Sequence, residues 1–419
     1  MKSYLLKSVT IINPLCAFHE QITDVLIVDG LIAAIGADIN EKDVDVINCA
    51  GQYLSPGFFD LNVNFGEPGF EAKEDIETGC EAASAGGFTG LAIMPNTQPA
   101  IHSKAEVSFI VNQSRGNLVN VFPVGCISQQ REGKELAEMF DMQQSGAIAF
   151  SDGNMAVADA GLMSRALLYA KGFDALIYSY AEDANIAAKG KMNEGAMSTY
   201  LGMKGNPSIA EELMVVRDLY LAEYNDAKIH FTTISTSRSV DLIRKAKAKG
   251  IEVTCDVAIH HLLLSEDVLI DFDSNYKVKP PLRTSDDVQA LLDGLKDGTI
   301  DAIVSQHTPH EIEFKDVEFE IAAYGIIGLQ TVLPLALKVD LTLNQLVEKL
   351  AINPRNILGL TTPKFELGEK ANLILIDSEA KWTYNQLSNR SKSSNSPFLS
   401  QEMKGKVTFI CNNNQCKIY

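Results

Sequence analysis

The sequence predicts an α/β fold: a (β/α)8 TIM barrel with a small β-sandwich built from both chain ends. Three observations predict it. Short apolar runs of buried-strand length recur eight times between residues 57 and 305, with helix-spaced segments between them. The alternating stretch from Pro56 to about Val339 spans roughly 280 residues, the usual length of such a barrel. The first fifty residues and the tail from about Leu367 lack helical spacing and carry short strands instead.

In chain order, Val25-Leu26-Ile27-Val28 and Leu31-Ile32-Ala33-Ala34-Ile35 flank Asp29-Gly30, the residue pair of a two-residue hairpin turn. The expected barrel strands are 57–65, 88–94, 119–127, 147–150, 175–179, 229–234, 252–257 and 302–305. One intervening helix opens at Pro207-Ser208-Ile209-Ala210-Glu211, a proline followed by a Ser-x-x-Glu capping box, and stays apolar through Leu213, Val216, Leu219 and Leu221. Another begins at Ser235-Thr236 and carries Val240, Leu242 and Ile243. The tail returns to strands at 371–376 and 407–410. The expected domains are therefore 1–54 with 366–419 for the sandwich, and 55–365 for the barrel.

Composition narrows the partners. The chain has 419 residues, 46% of them hydrophobic, enough for a large core. It carries 54 acidic against 36 basic side chains, net −18, with no basic cluster. Nucleic acid and anionic membrane both need a positive face, so neither is expected. Seven cysteines (Cys16, Cys49, Cys80, Cys126, Cys255, Cys411 and Cys416) include no CxxC pair. They read as buried thiols of a reducing compartment rather than a disulfide framework, with Cys411 and Cys416 incidental neighbours. The polar start is too short for a signal peptide, and no apolar run spans a bilayer. The expected location is cytoplasmic.

In a barrel of this kind the active site lies at the C-terminal strand ends. There the chain carries Asp60-Leu61-Asn62-Val63-Asn64, Met94-Pro95-Asn96-Thr97, Phe150-Ser151-Asp152-Gly153-Asn154, Tyr178-Ser179-Tyr180-Ala181-Glu182-Asp183, Thr232-Thr233-Ile234 and Ser305-Gln306-His307-Thr308-Pro309-His310. A separate loop reads Lys277-Val278-Lys279-Pro280-Pro281-Leu282-Arg283. With Lys73-Glu74-Asp75-Ile76-Glu77-Thr78-Gly79 and Ala85-Gly86-Gly87-Phe88-Thr89, these strings resemble class I dihydroorotases of the amidohydrolase superfamily. The resemblance covers nearly the whole chain, from Pro56-Gly57-Phe58 to Ala371-Asn372-Leu373.

The resemblance implies reversible cyclisation of carbamoyl aspartate to dihydroorotate at a site of one or two zinc ions. In active relatives a His-x-His after strand 1, a His after strand 5 and a His after strand 6 hold the metal. A carboxylate or carboxylated lysine after strand 4 bridges, and an Asp after strand 8 binds metal and shuttles the proton. The corresponding positions here are Asn62 and Asn64, Tyr180, Thr233 and Gln306. The strand 4 carboxylate falls at Asp152 or at Gly153, and that register stays open. Active relatives also carry an Arg where Gly66 stands and an Asn where Lys279 stands. Asn96 and His307 keep substrate-contact identities, and Lys279 offers an anion a point charge rather than a fork.

Zinc takes imidazole, thiolate and carboxylate donors, usually three or four from the protein. Amides and hydroxyls are weak substitutes. Without metal, water keeps its high pKa. Gln306 accepts no proton, and a missing general base alone costs about 10²–10⁴-fold in rate. No catalytic residue and no cofactor are therefore expected. Asn62, Asn64, Tyr180, Thr233 and Gln306 should instead form a neutral hydrogen-bond network. A zinc site rebuilt from His230, His260, His261, His307 and His310 is the weaker reading, because no HxH or HExxH spacing survives. His260 and His261, if in a strand, would point to opposite sides. Intact scaffold motifs with lost chemistry resemble those dihydroorotase homologues that support aspartate transcarbamoylase structurally. The leading expectation is that role, with homo-oligomerisation open. Two alternatives remain: an active cyclic-amide hydrolase with an altered site, and a sensor of an anionic pyrimidine precursor.

Overall fold

A computed structural model describes residues 2–419. The N-terminal strands are β1 (Tyr4–Ile11), β2 (Ile22–Val28), β3 (Leu31–Gly36), β4 (Asp45–Asn48) and β5 (Tyr53–Pro56). The hairpin forms at Asp29-Gly30, with φ of 49° and 76°. Two consecutive positive φ values are what a type I′ turn requires, and glycine holds the second without strain.

The barrel strands follow: β6 (Phe58–Val63), β7 (Phe88–Ile93), β8 (Asn120–Gly125), β9 (Ala149–Phe150) and β10 (Ile177–Ser179). A two-stranded ribbon, β11 (Met192–Asn193) with β12 (Gly205–Asn206), lies outside the barrel. Then come β13 (Ile229–Phe231), β14 (Val253–Ala258) and β15 (Ala302–Val304). All eight barrel strands lie parallel in sequence order, as the eight apolar runs predict. The seam between β15 and β6 closes through few bonds. Ser305 N–H donates to Asp60 Oδ2 at 2.9 Å, and Asn64 N–H donates to the His307 carbonyl at 2.8 Å. Burial pushes the Asp60 carboxyl up to about 7, against the Ser305 and Asn62 N–H groups that bond it.

The tail forms β16 (Leu373–Tyr384), β17 (Gln401–Asn412) and β18 (Gln415–Ile418). Both chain ends make one eight-stranded sheet, ordered β18-β17-β16-β5-β1-β2-β3 with β4 on β1. Its far edge turns back on the tail: Ile32 N–H bonds the Glu369 carbonyl, and Ala371 N–H bonds the Gly30 carbonyl. Tyr4, Leu6, Val25, Ile27, Leu373 and Phe409 share one apolar core inside this curl. The opposite face, with Ile374, Met403 and Val407, packs against the barrel.

Two local expectations fail. The helix Ile209–Asn225 starts where expected, but Ser208 makes no side-chain cap bond. Glu211 instead turns into the barrel and accepts from Ser235 N–H (3.0 Å) and Thr236 N–H (3.1 Å), facing Arg283. A buried carboxylate with tertiary donors abandons the local cap. Thr236 does cap its own helix, Ser237–Ala248, by accepting from Ser239 N–H. Second, Cys411 and Cys416 are joined as a disulfide, because the 412–415 reversal places them directly opposite across the β17–β18 ladder. The other five cysteines are free and buried.

Candidate functional site

Asn62 is the penultimate residue of β6, and its side-chain amide donates to Thr232 Oγ1 at 2.9 Å and Thr233 Oγ1 at 3.5 Å. Asn64 donates to Thr308 Oγ1 at 3.0 Å and to the His307 carbonyl at 3.3 Å. Asn96, after β7, donates to Asn64 Oδ1 at 2.5 Å. Gln306, in the left-handed region at φ 49°, donates to the Lys279 carbonyl at 3.0 Å and reaches Thr233 Oγ1 at 3.4 Å. Asn62, Asn64, Tyr180 and Gln306 thus line one cavity with Thr232, Lys279, Tyr324 and Gly325, and Thr233 joins them through its bonds to Asn62 and Gln306. Its volume is about 80 Å³.

Tyr180 joins through charge rather than through the amides. Its hydroxyl donates to Glu182 Oε2 at 3.3 Å, and burial beside that carboxylate pushes the phenol well above its usual range. Glu182 Oε1 lies 2.7 Å from Lys279 Nζ, and Asn206 donates to Glu182 Oε2 at 3.1 Å. The Lys279 ammonium also stands 5.8 Å from the Tyr180 ring centre. Lys279 therefore lines the cavity already paired with a carboxylate. Sequence reasoning missed Glu182. The signal was present, since a lysine newly placed among neutral groups needs a carboxylate, and Glu182 follows the adjacent strand.

Asp152 is buried but turned away from the cavity. It accepts from Ile127 N–H (3.0 Å), Ser128 N–H (2.9 Å) and Ser128 Oγ (2.5 Å). Burial raises its pKa, while the Ser128 hydroxyl, the two N–H groups and Arg131 oppose the rise. At Gly153, φ is 66°, and a Cβ would lie 1.9 Å from Asn96 Oδ1. The Asn96 amide fills the space that a side chain at Gly153 would need. Gly66 is equally closed, with a Cβ only 1.9 Å from the Phe70 carbonyl oxygen.

The histidines serve as anchors. His307 does not line the cavity. Its Nδ1 accepts from Gly328 N–H at 3.2 Å, and its Nε2 faces Glu74 at 3.4 Å. His310 Nε2 bonds the Tyr324 carbonyl at 2.9 Å. His260 and His261 do not splay apart, because β14 ends at Ala258 and both lie in a 3-10 turn with ring centres 4.6 Å apart. Burial depresses His261 and His310 to about 4 and holds His260 well below its usual range, with His261 adding repulsion to His260. His230 pairs with Asp256 at 3.0 Å, both fully buried.

These residues do not fit a zinc ion. The positions that the resemblance assigns to the metal supply amides, a hydroxyl and a phenol, all weak donors for zinc, and the carboxylate among them, Asp152, is held by Ile127 and Ser128 instead. Among the described residues no cluster of three His, Cys, Asp or Glu side chains has the proximity to hold a metal.

Fold and site together define an amidohydrolase-type barrel whose strand-end polar groups bond one another. Among solved structures, the fold is shared with an L-hydantoinase (dihydropyrimidinase) from Arthrobacter aurescens, at TM-score 0.87 and 23% identity, covering 100% of this chain and 98% of that one. A dihydropyrimidinase from Brevibacillus agri matches at TM-score 0.84 and 21% identity, covering 99% and 95%. A family model described as Dihydro-orotase-like matches residues 51–239. A protein named dihydroorotase from Geotalea daltonii is 45% identical over 93% of both chains, and one from Acetivibrio thermocellus is 44% identical over 93% of this chain and 92% of its own. The chain belongs to the dihydroorotase-like family.

Proposed function

We propose that this protein is a non-catalytic family member that serves pyrimidine biosynthesis as a structural or regulatory partner of aspartate transcarbamoylase. One observation carries the reading: the polar groups at the positions that the resemblance assigns to the metal are bonded within the protein, Asn62 and Gln306 to Thr233, Tyr180 to Glu182, Asn64 to Thr308, and Asp152 to Ile127 and Ser128. Water there has no group to lower its pKa, and Gln306 has no basic atom for the proton. An intact barrel and sheet are what a scaffold role requires. An outer stripe of the helix Ile209–Asn225 leaves Leu213, Tyr220 and Tyr224 exposed, an apolar surface suited to a protein contact. Residence in the cytoplasm belongs to the same proposal. No helix among the described residues is long and apolar enough to cross a membrane.

Two alternatives differ in what favours them. An active dihydroorotase is favoured by the relatives of that name at about 45% identity, but needs a proton acceptor that the cavity does not offer. A precursor sensor would use this cavity of roughly 80 Å³ together with an adjoining one of about 510 Å³ that shares Asn154, Tyr180 and Lys279, but the Glu182–Lys279 pair already occupies the shared wall.

The test is co-elution. The purified protein and the same organism's aspartate transcarbamoylase, mixed at micromolar concentration, should leave a sizing column as one species. Two separate, unshifted peaks with unchanged transcarbamoylase activity would refute the partnership.

A further inference from the structure

A second cavity lies between the barrel and the tail sheet, about 350 Å³ in volume and remote from the strand-end cavity. Its floor is apolar, with Leu333, Pro334 and Val407. Two aromatic side chains stand in its wall, and both are held in place. Trp382 Nε1 donates to the Gly405 carbonyl at 2.9 Å and the indole meets Tyr384 edge-on at 5.8 Å. Tyr419 bonds Ser84 Oγ through its hydroxyl at 2.5 Å. Three cations, Arg390, Lys406 and Lys417, line the rim, and no acidic side chain does.

That concentration of positive charge is notable in a chain of net charge −18. Lys417 is paired with Glu81 outside the cavity and lies 5.1 Å from the Tyr419 ring centre. Arg390 and Lys406 form no ion pair among the described residues. Lys406 stands opposite Asp377 across the ladder, but that carboxylate is taken by Gln52 and by the Glu379 and Ala380 N–H groups. Two cations are therefore left to a ligand.

We propose that this cavity binds an aromatic anion, a planar ring bearing one phosphate or carboxylate. The ring lies against the pinned indole and the proline, and the anion meets Arg390 and Lys406. Each part answers a stated feature: aromatic faces favour stacked rings, and a guanidinium with a free fork favours an oxyanion. The volume falls within the range of small-molecule pockets, about 300–1,000 Å³. The inference is independent of the strand-end site, so either reading can fail without the other.

Trp382 is the only tryptophan in the chain, so protein fluorescence reports this cavity directly. Uridine monophosphate and 4-hydroxybenzoate are titrated as the two anion types, with uridine as ring alone and inorganic phosphate as charge alone. The expected result is a saturable change in Trp382 emission with at least one aromatic anion, at a Kd below about 1 mM. The better of the two identifies phosphate or carboxylate as the preferred group. The R390Q/K406Q variant, whose substitutions lie on the rim, should weaken binding at least about tenfold while its unfolding midpoint stays put. The proposal is overturned if neither anion gives a saturable change. Equal responses to uridine or phosphate alone, or undiminished binding in the double variant, would also overturn it.

Discussion

Lys279 Nζ and Glu182 Oε1 stand 2.7 Å apart beside the strand-end cavity, with Tyr180 and Asn206 bonding the same carboxylate. The pair occupies ground that the family resemblance assigns to substrate and metal. Glu182 is nearly buried, and the lysine side chain is about one-third exposed at 32%. Glu182→Gln strands the ammonium beside neutral groups, and solvent screening limits the cost to about 1 kcal/mol. Adding Lys279→Met should recover most of that loss. Urea midpoints of the two single variants and the double variant test this coupling, and strict additivity would contradict it.

Zinc affinity should depend on donors rather than on shape. Equilibrium dialysis of the native protein should find no stoichiometric zinc, and N62H/N64H should add only weak binding, because two imidazoles are too few. Adding Y180H, T233H and Q306D should give one tightly held zinc per chain. Stoichiometric zinc in the native protein would show a donor set elsewhere.

Acid should destabilise the fold. His261 and His310 are held near 4 by burial, and burial also holds His260 well below its usual range, so each stays neutral in the folded chain near neutral pH. Unfolded histidine takes its proton near 6.5. Stability from these groups is complete above about 6.5 and is lost as pH falls toward 4, at up to about 1.4 kcal/mol per unit for each. Asp60 runs the other way, because its folded carboxyl near 7 keeps a proton that the unfolded one releases near 3.8. Burial also raises Asp152 and Asp218, which oppose the histidines as Asp60 does, so the histidine contribution is isolated by substitution. Across urea midpoints from pH 4.5 to 7, His310→Gln should lessen the acid-side loss relative to the native protein by about one proton's slope. Parallel profiles for the two proteins would contradict the assignment.

The segment beside the cavity is held by buried ammonium groups. Lys277 Nζ donates to the carbonyls of Phe319 (2.6 Å), Glu320 (3.0 Å) and Ala322 (2.6 Å), and Lys315 holds those of Ala323 and Gly325. Lys277→Met removes three bonds at once and should cost about 3 kcal/mol. Proteolysis should then cut within 312–325 faster than in the native protein. Unchanged cleavage would mean that the lysine is not what holds the segment.

The barrel was legible because parallel strands buried on both sides leave continuous apolar runs, and all eight appear as strands. The hairpin at Asp29-Gly30 was legible because its turn needs those residue types. The convergence of Asn62, Asn64, Thr233 and Gln306 followed from the family motifs, since strand ends meet at one barrel rim. What was hidden depends on contacts distant in sequence. Glu211 reads as a cap residue until Ser235 and Thr236 offer it better donors. Lys279 reads as a lone cation until Glu182 is seen 2.7 Å away. Cys411 and Cys416 read as incidental until the hairpin register sets them face to face.

The most direct test of the central claim is dihydroorotase turnover in both directions on the purified protein, with and without added zinc. The account predicts no turnover above a metal-depleted blank in any condition, while a 45% identical dihydroorotase assayed in parallel turns over. Zinc-dependent turnover by this chain would contradict it, and would mean that these side chains rearrange into a metal site.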